Sequence, residues 1–201
     1  MCLKKVLSVC LLLLSFAVKG FSQETLNNNY ELPTPENWRT ETFDLPAPFA
    51  ADIPFKGTEH IRFSPGWRQK QAEDYWTYCF LWAINSQVSF TKTNLEQYLN
   101  NYYTGLVKAN LAQAKIDTTI AIPVKVKLNS SRKSKTDIQA FNGQVEMLDY
   151  MTQDPIKLNL LIHIKKPKQG TNSSAVYFEV SPKPYDHKVW IKLDEFDQAI
   201  K

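Results

Sequence analysis

Side chains that could do chemistry gather around one turn, between positions 59 and 74. The acids, the histidine, the arginine and the tryptophan that flank it are Glu59, His60, Arg62, Trp67, Glu73 and Asp74. If the strands on either side of the turn pair, these residues meet at one end of a sheet. There they could orient a polar ligand beside an apolar pocket. The alternative is an ion-pair network that only holds the turn.

A hydrolase in which His60 works with Glu59 or Asp74 is a second hypothesis for this turn. Neighbouring residues of a strand point to opposite faces of a sheet, so Glu73 and Asp74 would make a poor general acid–base pair. The chain contains no G-x-S-x-G motif and no glycine loop of the phosphate-binding type. We therefore assign no catalytic residue and expect no cofactor.

The histidines and cysteines do not have the spacing of a metal site. His60, His163 and His187 share no helical or hairpin spacing, whereas a structural zinc site needs four nitrogen or sulfur ligands. Cys79 lies among aromatic residues, where a cysteine is usually a small buried hydrophobe with a raised thiol pKa. We expect no metal. Basic turns at residues 132–135 and 165–168 are typical of solubilising hairpin tips, with anion binding as the alternative.

The segment that must position these residues is YWTYCFLWAI, residues 75–84, in which five of the ten residues are aromatic and none is charged. As a strand, it would place Trp76, Tyr78, Phe80 and Trp82 on one face and mostly smaller residues on the other. Aromatic side chains favour such a pleated surface. We predict a strand buried on both faces, with a helix close to the small face. A fully buried helix is the alternative.

The N-terminus has the pattern of a secretory signal peptide. Lys4 and Lys5 precede an apolar run, and small residues follow it, which predicts a signal peptide at residues 1–22 with cleavage near Ser22. Lipid attachment at Cys10 is the alternative. The apolar run is shorter than the roughly 20 residues that span a bilayer. We therefore expect an exported chain, periplasmic or secreted, with no transmembrane segment after cleavage.

Loss of the signal peptide changes the charge and the cysteine count. It takes three of the 24 basic residues and none of the 20 acids, so the net charge falls from +4 to +1. So small a charge gives no reason to expect nucleic acid as a partner. Cys79 then remains as the only cysteine, which excludes an internal disulfide.

Residues 23–57 are predicted to form an extended arm that is rich in proline and aromatic residues. Its prolines exclude helix interiors and central strands. Trp38, Phe43, Phe49 and Phe55 make it too apolar for a solvated linker. We expect the arm to run over the surface of a single α+β domain that comprises residues 58–201.

The remaining sequence shows helical and strand periods in turn. Residues 93–112 follow the helical spacing, with Thr93 and Glu96 as a capping box. Alternation predicts strands at residues 58–63, 120–128, 137–149, 156–164, 176–180 and 189–193. The predicted fold is a curved antiparallel sheet of five to seven strands packed against one long α-helix in two layers. Cystatin-like and NTF2-like domains have a similar outline, which does not fix a function.

The signal peptide ending in GFSQ, the arm, EHIRFSPGW, DYWTYCFLW and the helix after them resemble small uncharacterised exported proteins of Gram-negative bacteria, over residues 1–107. The resemblance implies export and carries no activity. Abundant aromatic residues without a catalytic constellation favour a non-enzymatic protein that binds a ligand or an envelope protein through the sheet and the arm. The alternatives are the hydrolase and a structural subunit of a cell-envelope complex.

Overall fold

An antiparallel sheet with helices on both faces is the framework of the protein. The computed structural model describes residues 30–200, so the predicted signal peptide at 1–22 lies outside the described residues. In chain order the elements are β1 (Arg39–Leu45), β2 (Gly57–Phe63), β3 (Tyr78–Ile84), α1 (Lys92–Gln113), β4 (Lys125–Ser130), β5 (Asp137–Leu148), β6 (Pro155–Lys165), β7 (Ser174–Ser181) and α2 (Val189–Ala199). Short 3₁₀ helices occupy Pro48–Ala50 and Thr118–Ile120. Within residues 30–200, no helix has both the length and the apolar character that crossing a membrane requires.

The strands lie in the order β1-β2-β3-β7-β6-β5-β4, and all neighbours are antiparallel. The last four strands form the meander that their short polar connections predict. Helix α1 carries the chain from β3 to the far edge of the sheet, so β3 and β7 pair in the middle. The α+β class and the antiparallel sheet are therefore confirmed, with seven strands in the described range.

All seven residues of β3 are buried. Its side chains enter two separate cores, one with Tyr78, Phe80 and Trp82 and one with Cys79, Leu81 and Ala83. In the first core the Phe80 ring stacks on Phe178 of β7, with 4.2 Å between centroids and 9° between planes. The strand predicted for residues 75–84 is confirmed from residue 78 onward, because residues 75–77 still belong to the loop before it.

Helix α1 covers the face of the sheet with the large rings, which we call the α1 face. The Tyr102 ring lies parallel to Phe80, with 5.6 Å between centroids. The side-chain sizes had predicted a helix on the opposite face, and that face carries α2. The small residues there leave room for the bulky Trp190 and Phe196 of α2, so volume complementarity explains the arrangement. We call this second side the α2 face.

The start of α1 differs from its predicted cap. Thr91 is the N-cap, where its hydroxyl accepts a hydrogen bond from the Asn94 N–H at 3.2 Å and its own N–H donates to the Asn94 side chain at 2.8 Å. The predicted box of Thr93 and Glu96 is wrong. Glu96 instead accepts a hydrogen bond from the Leu128 N–H at 2.8 Å and so ties α1 to β4.

Helix α2 replaces the strand predicted for residues 189–193, so the sheet packs against two helices in three layers. Four buried apolar residues, Val189, Trp190, Leu193 and Phe196, recur at helical spacing along it and face the sheet. The short window that ended at residue 193 alternates well enough for a strand. The spacing of Phe196 is what distinguishes the helix.

Residues 30–57, assigned to the arm by the sequence, belong partly to the sheet. Strand β1 pairs with β2 along its whole length and forms one edge. Leu45, Ile53 and Phe55 are buried in the core of the α1 face. Tyr30 and Leu32 pack instead in the core of the α2 face. The described part of this segment is therefore integral to the domain core.

Candidate functional site

A cavity of about 770 Å³ lies on the α1 face, at the end of the sheet formed by β1, β2 and β3. It exists because α1 packs mainly against β4, β5 and the 3₁₀ helix Pro48–Ala50, and covers the first strands only in part. At Gly105 the helix comes so close to the 3₁₀ helix that an added Cβ would lie 1.7 Å from the Phe49 carbonyl oxygen. The sheet, α1, the 3₁₀ helix and the loop between β2 and β3 bound the space.

Aromatic side chains dominate the walls of this aromatic cavity. Those that line it are Phe43, Phe49, Phe63, Trp67, Trp76, Tyr78, Tyr102 and Tyr150. The Phe63 and Trp67 rings stack, with 4.2 Å between centroids and 24° between planes. The Trp76 ring meets Trp67 edge-on at 6.2 Å. Such walls favour planar or apolar molecules, because each ring offers a large apolar face without much conformational freedom to lose.

Trp76 is held in an unusual backbone conformation at this wall. Its φ of 53° lies in the left-handed region, which bulky residues rarely adopt. Its N–H donates to the Trp67 carbonyl oxygen at 3.0 Å, which fixes the two tryptophans relative to each other. Such a conformation costs on the order of 1–3 kcal/mol and persists only where the surroundings enforce it. The loop therefore holds both rings in fixed positions at the cavity wall.

Three charged side chains line the aromatic cavity. Arg39 forms an ion pair with Glu41, and its guanidinium lies 5.9 Å from the centre of the Phe63 ring. The Arg68 guanidinium lies 4.9 Å from the centre of the Trp67 ring. In the described range no hydrogen bond or ion pair joins Arg68 to another side chain. The cavity thus combines an apolar interior with one cation that is not already paired.

Glu59, the first of the predicted site residues, is fully buried behind the cavity wall. The Tyr102 hydroxyl donates to its Oε1 at 2.7 Å, while Oε2 has no hydrogen-bond partner among the described residues. Burial raises the pKa of Glu59 to about 7, although the hydrogen bond from Tyr102 acts in the opposite direction. Because Tyr102 lines the cavity and Glu59 does not, the carboxyl acts on the site through the tyrosine.

Of the other predicted site residues on this side, Trp67 lines the cavity and Asp74 does not. The Asp74 carboxylate accepts a hydrogen bond from the Gly66 N–H at 2.9 Å, and its carbonyl accepts one from the Ser64 hydroxyl at 2.9 Å. These bonds close the loop that carries Trp67. Glu73 points away and pairs with Lys188 at 2.9 Å, near the start of α2.

His60 and Arg62 lie on the α2 face, because they alternate with Glu59 and Ile61 along β2. Arg62 is 6% exposed and donates to the carbonyl oxygens of Leu32 and Pro33 at 2.6 and 2.8 Å. It therefore fastens the N-terminal segment to the sheet. Partial burial, with the nearby charge of Arg62, lowers the pKa of His60. The sheet itself separates His60 from the Glu59 carboxyl.

A second group of titratable side chains is buried on the α2 face. This ionic cluster consists of Asp137, His163, Lys165, Glu179 and Asp197. The Lys165 ammonium lies 2.9 Å from the Asp137 carboxylate and also pairs with Asp197 of α2. The His163 ring lies 2.9 Å from Asp137 and 3.4 Å from Glu179. The cluster thus joins β5, β6, β7 and α2.

The pKa values in the ionic cluster follow from burial and pairing. Burial alone would lower the pKa of His163, but Asp137 and Glu179 outweigh it and raise the pKa to about 10. Burial would raise the pKa of Asp137, but His163 and Lys165 hold it well below its usual range. Burial raises the pKa of Glu179 to about 7 against the influence of His163. At neutral pH the imidazole is therefore a cation.

Asp137, His163 and Asp197 bring potential metal ligands within 4.8 Å of one another. The Lys165 ammonium already stands between the two carboxylates, and a protonated imidazole cannot donate to a metal. The group is thus better explained as an ion-pair network. Cys79 is fully buried, which raises its pKa and keeps the thiol protonated.

Sequence reasoning expected an apolar pocket beside the turn at residues 59–74 but not the aromatic residues that line it, and it missed the ionic cluster. The cluster left one signal, because His163 and Lys165 alternate with Ile162 and Ile164 along β6 and must face away from the apolar core. For the cavity, the sequence gives only one indication, an excess of aromatic residues. Comparisons with family models, curated proteins and solved structures gave no match.

Proposed function

We propose that the protein is a binding protein that holds a small, largely apolar molecule in the aromatic cavity. The observation that carries the proposal is the cavity itself, whose volume of about 770 Å³ falls in the range of small-molecule sites, roughly 300–1,000 Å³. Eight of its seventeen lining residues are aromatic, and a few polar groups stand among them. That composition is typical of sites that bind by shape and apolar burial.

Binding explains the lining better than hydrolysis does. The hydrolase hypothesis needs His60 beside Glu59 or Asp74, yet β2 directs His60 and Glu59 to opposite faces. Asp74 is engaged with the Gly66 N–H. The aromatic walls, by contrast, would each bury apolar ligand area, at about 25 cal/mol per Å².

Titration with N-phenyl-1-naphthylamine, an uncharged fluorophore, tests the proposal directly. We expect fluorescence to rise and saturate at one probe per chain, because the apolar walls exclude water from the dye. Leu106 lines the cavity on α1, so Leu106→Trp should fill it and weaken probe binding by about tenfold or more, which corresponds to 1.4 kcal/mol or more.

Ile191→Trp is the matched control for this experiment. Ile191 is 67% exposed on α2, on the other side of the sheet, so its replacement adds the same indole away from the cavity. Probe binding should be unchanged in that variant. Equal binding by both variants, or no saturable binding by the native protein, would refute the proposal. Thermal unfolding of Leu106→Trp separates a filled cavity from an unfolded chain.

We also propose that the protein acts outside the cytoplasm, on the strength of its N-terminal pattern. Cleavage after Ser22 would leave Gln23 as the first residue of the mature chain. Intact-mass measurement on protein recovered from the periplasm and the medium checks this directly. Recovery of the uncleaved chain from the cytoplasm alone would contradict it.

A further inference from the structure

We infer that the aromatic cavity takes an organic anion, with its apolar body against the rings and its negative head group on Arg68. The inference rests on the function proposed above, since it names the ligand class of the same site. Its support is the distribution of charge around the cavity and the geometry of one guanidinium.

The charge balance of the lining favours an anion. Two arginines and one glutamate line the cavity. Glu41 is already paired with Arg39, and so it is neutralised before any ligand arrives. Arg68 is exposed and, within residues 30–200, has no carboxylate partner, so its charge is available to a ligand.

The position of Arg68 suits the recognition of a carboxylate or a related head group. Its guanidinium lies over the Trp67 ring at 4.9 Å. A guanidinium that rests on an aromatic face keeps its N–H donors at the edge, where they can meet two oxygens in a plane. Trp67 in turn stacks on Phe63, so the cation stands directly beside the apolar surface that would hold the ligand body.

Tyr150 supplies a second donor beside the same head group. Its ring lines the cavity, and within the described residues its hydroxyl makes no hydrogen bond. Burial raises the pKa of Tyr150, although the charge of Arg68 acts in the opposite direction, so the hydroxyl stays protonated and can donate. Arg68 and Tyr150 line the same cavity. A phenol and a guanidinium together favour an oxyanion.

The main competing ligand class is an organic cation, because aromatic walls also bind ammonium groups. Here the unpaired charge at the cavity is positive, and it would repel such a ligand. The buried carboxyl of Glu59 cannot compensate, since it lies behind Tyr102 and does not line the space. The charges around the cavity therefore favour the anion.

Three probes that share one ring system test the inference on the full chain: 2-naphthaleneacetate, 2-naphthaleneethanol and 2-naphthaleneethylamine. Displacement of N-phenyl-1-naphthylamine gives their relative affinities. We expect the anion to bind more tightly than the alcohol, and the amine to bind most weakly. Decanoate in a fourth arm distinguishes an aliphatic acid from an aromatic one as the natural source of the same head group.

Replacement of Arg68 identifies the anchor. Arg68→Gln should weaken the naphthaleneacetate complex by about tenfold, as expected for the loss of a charge-assisted hydrogen bond, and leave the alcohol unchanged. Arg68→Lys keeps the positive charge but not the planar guanidinium, so this variant should lose less affinity for naphthaleneacetate than Arg68→Gln. Arg132→Gln, in the exposed turn at the opposite edge of the sheet, removes the same charge and should change neither affinity.

The outcomes separate this inference from the function it rests on. Equal affinity for all three probes would overturn the anion inference while the binding function stands. An anion preference that survives in Arg68→Gln would overturn the role of Arg68. If neither the naphthalene probes nor N-phenyl-1-naphthylamine bound, the binding function and the inference would both fail.

Discussion

The two faces of the sheet differ in how their charged side chains are placed. On the α2 face, five titratable residues pair with one another, and four of them are buried, while the His163 side chain is 12% exposed. On the α1 face, the core is built of rings, the charged side chains stay at the cavity lining, and space remains. One face therefore uses charge to lock two layers together, while the other keeps charge available for an outside molecule.

Strand β2 contributes charged side chains to both faces. Glu59 faces Tyr102 beneath α1, whereas Arg62 faces the N-terminal segment beside α2. Side chains only a few positions apart on one strand thus serve different layers, because the alternation of a strand separates them completely. The contrast can be tested by disturbing one face while the other is observed.

The largest effect should come from Lys165→Met, which removes the central cation of the ionic cluster. Asp197 would remain buried without its cation, and Asp137 would keep only His163. Breaking such a buried pair typically costs about 3–5 kcal/mol. Urea denaturation measures the loss in free energy of unfolding. Lys166→Met is the control, because Lys166 is exposed and its loss should stay within about 0.5 kcal/mol. Similar stability for both variants would mean that the cluster does not lock the layers.

A somewhat smaller effect should follow from Glu59→Gln, and it should depend on pH. The pKa of Glu59 is about 7 in the folded chain against 4.5 for the free side chain, so the folded state binds the extra proton between these values. The contribution of Glu59 to the free energy of unfolding is therefore fully present below pH 4.5. It is lost as the pH rises from 4.5 through 7. The variant should match the native protein near pH 4.5 and exceed it by about 3 kcal/mol above pH 7.

Chemical denaturation across pH 4.5–8 tests this, with the exposed Glu195→Gln as control. Part of the decline with pH should survive in Glu59→Gln, because Glu179 on the other face also has its pKa raised to about 7. A pH profile of Glu59→Gln that is parallel to that of the native protein would contradict the assignment. The double variant Glu59→Gln, Glu179→Gln then apportions the pH dependence between the two faces.

The smallest of these effects should come from Gly105→Ala, but its sign is informative. Alanine is normally about 1 kcal/mol better than glycine in a helix. Here its Cβ would meet the Phe49 carbonyl oxygen, so we expect a net loss of about 1–3 kcal/mol as the layers move apart. The thermal unfolding temperature and the affinity for N-phenyl-1-naphthylamine should both fall. A gain in stability with unchanged affinity would show that this contact does not shape the cavity.

The parts of the fold that were predicted correctly are those with a strong local period. Alternating isoleucines and leucines over residues 156–164 specify β6, and ring-rich β3 is recognisable because aromatic side chains suit a buried strand. Helix α2 was missed because residues 189–193 alternate within five positions, too few to distinguish the two periods. A window extended to Phe196 would have revealed the helix.

The candidate site was harder to predict, because its geometry depends on which strands are neighbours. The sequence brought Glu59, His60, Arg62, Trp67 and Asp74 to one turn, and only Trp67 lines the cavity. The empty space arises because α1 crosses toward β4 and β5, and no local pattern in residues 93–112 specifies that direction. Arg68 and Tyr150 are far apart in sequence, and strand pairing brings them to the same space.

The hydrogen bonds from Arg62 to the main chain anchor residues 32 and 33 on the α2 face. The guanidinium holds the carbonyl oxygens of Leu32 and Pro33, which any residue would offer, so the fastening does not depend on side chains there. Tyr30 and Leu32 pack in the core of the same face, on the side of the sheet away from the cavity. Replacing Arg62 should therefore loosen residues 30–33 on the α2 face and leave the shape of the aromatic cavity unchanged.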